Sequence, residues 1–115
     1  MAWWRRRGRT GDRSASSGDR AHLEQFVATH TGVEAFVEPR TAVTQTTVVL
    51  VAADGEWTRR RVPSPAALHT WANDLGVPSY DAAVVGYPQR MRDYTARQAA
   101  AQKAGRHPPG PPAGT

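Results

Sequence analysis

The chain of 115 residues contains no cysteine. That excludes disulfides, thiolate nucleophiles and cysteine-held metals, and it fits a reducing compartment such as the cytoplasm. Lysine is almost missing too, one against fourteen arginines, a bias that a GC-rich coding source explains without invoking function. There is no apolar run of about 18 residues to span a membrane. The opening WWRRRGR is not followed by the apolar stretch of about 7–15 residues that a secretory signal needs, so the chain reads as soluble and cytoplasmic. No glycine-rich strand-to-helix turn is present for a dinucleotide, and GDRSASSG lacks both the lysine and the preceding strand of a phosphate-cradling loop. His22, His30, His69 and His107 share no ligand spacing, and no third ligand can be nominated for a metal. The sequence therefore predicts no catalytic residue, no metal and no cofactor.

What charge there is lies unevenly. The net +5 comes from the ends: residues 1–20 carry six arginines against Asp12 and Asp19, whereas residues 21–97 carry seven arginines against eight acids. The closing GRHPPGPPAGT is proline and glycine punctuation that neither packs nor continues a helix. These features predict a disordered basic tail over 1–18, one folded domain over 19–104, and a disordered Pro/Gly tail over 105–115.

Within the domain, Leu23, Phe26, Val27 and His30 recur at helical spacing after Asp19, a candidate N-cap, and Gly32 closes the run. VEAFVE (33–38) alternates Val33, Ala35 and Val37 with Glu34, Phe36 and Glu38 before Pro39, the pattern of an edge strand. TTVVLVAADGEWTRRRV (46–62) is a β-branched run, apolar on both faces and hence central, joined through Asp54-Gly55 to a second strand. Ser64-Pro65 starts a helix whose stripe is Leu68, Trp71, Ala72 and Leu75, with Gly76 beyond it. VPSYDAAVVGYP (77–88) is ambiguous between a short strand and a loop, and QRMRDYTARQAAAQKA has helix-forming composition. The order predicts an α+β fold: a small antiparallel three-stranded meander with two or three helices packed on one face.

The stretches GVEAFVEPRT, TTVVLVAADGEWTRRRV and VGYPQRMRDY resemble a small actinobacterial protein family. The resemblance covers about residues 22–97; it implies a lineage and carries no activity or site residue.

Three features suggest function. On the strand DGEWTRRRV, alternation places Trp57, Arg59 and Arg61 on one face and Thr58, Arg60 and Val62 on the other. If Val62 faces the core, an aromatic between guanidinium groups is turned outward, as stacking on bases with phosphate contact requires. The competing reading pairs these arginines across strands with Glu34 and Glu38, or treats them as charges that blunt an edge. Trp3 and Trp4 beside Arg5, Arg6 and Arg7 offer a second place for nucleic acid or the ribosome, with an anionic membrane surface less favoured. Tyr80, Asp81, Tyr87, Arg90 and Arg92 gather around Gly86 and Pro88 as a candidate ligand pocket, against which Asp81 is equally a helix cap and Tyr87 a cover for the core edge. The expected function is a small non-enzymatic binding protein contacting nucleic acid or the ribosome. A protein-protein interaction module is the alternative, and a small ligand-binding protein or enzyme the third.

Overall fold

A computed structural model describes residues 16–105; the expectations for 1–15 and 106–115 lie outside the described residues. The chain is α+β, as the pattern predicts, but its sheet has four strands in the order β3-β2-β1-β4. The strands are β1 (Glu34–Glu38), β2 (Thr47–Val51), β3 (Trp57–Arg61) and β4 (Ser79–Asp81). The first three form the expected antiparallel meander, while β4 lies parallel to β1, with Phe36 opposite Tyr80. VEAFVE is therefore an interior strand and not an edge. A strand of three residues behind Pro78 shows no alternation, so nothing local marked β4 as the neighbour that covers β1.

The helices are α1 (Ser17–Thr29), α2 (Pro65–Asp74), α3 (Ala82–Val85) and α4 (Gln89–Gly105). They occupy both faces of the sheet, correcting the expectation of one. Leu23 and Phe26 of α1 and Leu68, Trp71 and Ala72 of α2 meet Ala35, Val37, Val48 and Leu50 on the first face. On the second, Phe36, Val49 and Val51 meet Ala82 of α3 and Met91 of α4. Strand β2 has Val48 to Val51 all fully buried, which is why its sequence is apolar on both sides.

Helix α1 begins earlier than its apolar stripe suggests. Ser16 is the N-cap; its hydroxyl accepts from the Asp19 N–H at 3.1 Å, and the Asp19 carboxylate accepts from the Ser16 N–H at 3.0 Å. Asp19 thus completes a capping box from the third helical position, and residues 16–18 belong to the folded domain. At the other end of the helical pair, Leu75 leaves the α2 stripe and is 46% exposed. Helix α2 stops in a Schellman motif, with Gly76 N–H on the Asn73 carbonyl at 3.1 Å and Val77 N–H on the Ala72 carbonyl at 2.8 Å. Gly76, at φ 73°, reverses the chain, so buried Val77 takes the core place that continued helical phase would give Leu75.

His30 locks α1 to the β2–β3 hairpin. Its ring stacks on Phe26 with centroids 3.9 Å apart, and its Nε2 lies 2.9 Å from Glu56. Burial opposes the imidazolium, but the hydrogen bonds to Glu56 and to the Phe26 carbonyl, with the charges of Glu56 and Asp54, raise its pKa above the ordinary value. A raised folded-state pKa contributes stability that is complete below the unfolded value, about 6.5, and is lost as pH rises through the folded value. Urea unfolding should accordingly show stability falling as pH rises above about 6.5, and His30→Gln should flatten that decline.

Candidate functional site

Strand β3 ends the sheet, and its five residues divide as alternation requires. Thr58 and Arg60 face α1: His22 Nε2 is 2.6 Å from the Thr58 hydroxyl, Arg60 Nη2 is 3.4 Å from His22 Nδ1, and Arg60 Nε is 3.7 Å from Asp19. A guanidinium can only donate, so Nδ1 accepts and Nε2 carries the proton given to Thr58. Burial first, then the charge of Arg60, lowers the His22 pKa against the pull of Asp19, consistent with that neutral tautomer.

Trp57, Arg59 and Arg61 share the second face, but helix α4 covers its Trp57 end. The indole N–H of half-buried Trp57 donates to the Thr95 hydroxyl of α4 at 3.0 Å. Arg59 lies 5.5 Å over the same indole and reaches diagonally across β2 to Glu38, with Nε at 2.9 Å and Nη2 at 3.1 Å. Glu38 also accepts from Thr47 at 2.6 Å and from the Tyr87 hydroxyl. Burial disfavours its charge, yet the Arg59, Thr47 and Tyr87 donors together hold its carboxyl below the usual carboxylate value. The cross-strand pairing therefore exists for Arg59 and Glu38, whereas Glu34 bonds Arg90 at 2.6 Å and Tyr80 at 3.2 Å.

Arg61 is exposed at the end of β3. Two open grooves flank this edge. One, of about 560 Å³, runs beneath the β1–β2 connection; its lining includes Glu38, Thr41, Gln45, Thr47, Arg59 and Arg61. The other, of about 420 Å³, is lined by Asp19, Thr47, Arg59, Arg60 and Arg61. Thr47, Arg59 and Arg61 belong to both, so the grooves adjoin along the strand. Asp19 stands three residues after Ser16, where the described chain begins, and the Asp19–Arg60 contact sets that point beside the same arginines. Trp3, Trp4, Arg5, Arg6 and Arg7 precede it and lie outside the described residues.

The second predicted cluster is divided. Tyr80 and Tyr87 line a groove of about 250 Å³ with Glu34, Phe36, Val85 and Pro88. Asp81 is the N-cap of α3, its carboxylate accepting from Ala83 N–H at 2.8 Å. Arg90 is an anchor for α4: besides Glu34, it donates to the Ala52 carbonyl at 2.8 Å. Arg92 is exposed and bonds Gln89 of its own helix. Sequence reasoning missed Phe36 as the floor of this groove and Thr47 as a lining residue of the arginine edge. The signal for Phe36 was present, because alternation in VEAFVE sets it between Glu34 and Glu38 on one face.

Among the described residues, no three His, Asp or Glu side chains converge as metal ligands, and no helix is long and apolar enough to cross a membrane. No family model, curated protein or solved structure matches the chain, so the functional reading rests on the arginine edge and the aromatic groove themselves.

Proposed function

We propose that this protein is a small non-enzymatic binding protein that takes nucleic acid, free or within the ribosome, along the arginine edge of its sheet. The carrying observation is convergence: Arg59 and Arg61 line two adjoining open grooves, Arg60 lines one of them, and the Asp19–Arg60 contact sets the start of the described chain beside them. Threonine hydroxyls and a glutamine amide from the β1–β2 connection supply neutral donors next to the guanidinium groups, the mixture by which phosphates are positioned. Trp57 supports the site from behind by holding Arg59, and Trp3 and Trp4 remain the aromatics that can stack on bases.

Arg61 carries the test, since it is exposed at the end of β3 and lines both grooves. Arg61→Glu should weaken binding of a labelled single-stranded oligonucleotide about tenfold at low salt and flatten the log affinity against log salt plot by about one. The melting temperature should be nearly unchanged, because an exposed charge contributes little to folding. Binding that ignores both salt and this substitution would overturn the reading, and a protein partner retained at high salt would favour an interaction module.

A further inference from the structure

The groove lined by Phe36, Tyr80, Tyr87 and Pro88 is distinct from the arginine edge, to which it is joined through the Glu38 carboxylate that Tyr87 and Arg59 share. Phe36 is its buried floor, and the tyrosine rings tilt beside it with centroids 5.4 and 6.2 Å away. Both hydroxyls are held by carboxylates, Tyr80 by Glu34 and Tyr87 by Glu38, which fixes the ring planes as walls. Val85 on α3 lines one rim and is 55% exposed. Rigid aromatic walls over an apolar floor are the surface on which polyproline II segments dock, because such a ligand has little conformational entropy left to lose.

The same chain carries a segment of that kind. After α4, residues 106–112 read RHPPGPP, an arginine followed at spacings of three by Pro109 and Pro112. Polyproline II has three residues per turn, so a segment in that conformation would set these prolines on one edge about 9 Å apart. Glu34, in the wall of the groove, would be an acidic neighbour for the preceding Arg106 of a bound segment.

The segment cannot seat both prolines in the groove of its own chain. Helix α4 has 17 residues, so it carries the chain about 25 Å from Pro88, whereas Pro109 lies four residues past Gly105 and reaches at most about 14 Å back. The helix from Ala96 to Gly105 is exposed throughout. We infer that the aromatic groove binds the RHPPGPP segment of a second copy of this chain, giving a head-to-tail contact.

The test titrates isotope-labelled full-length protein with a peptide of residues 105–115, up to about 1 mM, while sedimentation follows the full-length chain with concentration. Peptide should shift the resonances of Phe36, Tyr80, Tyr87 and Val85, and a peptide with Pro109→Ala and Pro112→Ala should bind about tenfold more weakly. Val85→Glu, on the exposed rim, should abolish both the shifts and any concentration-dependent self-association. Arg61→Glu should change neither, which separates this site from the polyanion reading. Absence of shifts, shifts that persist with the alanine peptide, or shifts confined to residues outside the groove would each overturn the inference.

Discussion

Gly55→Ala should cost about 3–5 kcal/mol or detach α4 from the sheet, one of the larger effects available to a single methyl group. Gly55 sits at φ 94° in the β2–β3 hairpin, where an L side chain is already strained. A Cβ there would fall inside the van der Waals surface of the Arg90 carbonyl and 2.9 Å from Tyr94 Cβ. The backbone of α4 cannot yield locally, because Arg90 is bonded to Ala52 and Glu34, Trp57 to Thr95, and Arg97 to the Asp54 carbonyl at 2.9 Å. Gly76→Ala is the control. Its φ is 73°, but nothing lies within 4 Å of the added methyl, so about 1 kcal/mol of backbone strain should be the whole effect. Chemical denaturation gives the two costs, and amide exchange over residues 89–97 tells whether the helix has come away. Equal costs at the two glycines would refute the docking of α4 on the hairpin.

Trp71→Ala should cost about 3–5 kcal/mol, the usual range for emptying a large aromatic site in a core. Trp71 of α2 is buried on the first face with Leu23, Val37, Leu50 and Leu68. Leu75→Ala, one turn further along the same helix, should change stability by less than about 1 kcal/mol, because the side chain is 46% exposed. Comparable losses at both positions would mean that α2 continues past Asp74 and that the Schellman turn at Gly76 is not formed in solution. Urea midpoints at constant slope suffice to distinguish the cases.

Much of this fold was legible because the information is local. A two-residue period in 33–38, a β-branched run in 46–51, a Ser-Pro start at 64–65 and glycines at 32, 55 and 76 are properties of short stretches, and each fixes an element by backbone sterics or by which face can be buried. Strand parity was legible for the same reason: buried Val62 sets Arg60 opposite Arg59 and Arg61. The partners of those elements were not. That β1 is interior depends on Ser79–Asp81, more than 40 residues away, pairing beside it. Helices on both faces follow from Arg90 and Met91 finding the hairpin and the second core.

The candidate sites divide along the same line. Sequence alone determined that an arginine strand, an aromatic and proline cluster and a Trp/Arg segment exist, since composition and alternation suffice for that. Only the tertiary structure decided that Arg59 belongs to Glu38, that Glu34 takes Arg90 instead, and that the start of α1 lies at the arginine edge. Ion pairs and groove walls are contacts between residues distant in sequence, and their geometry is set by how whole elements pack, which no local pattern encodes.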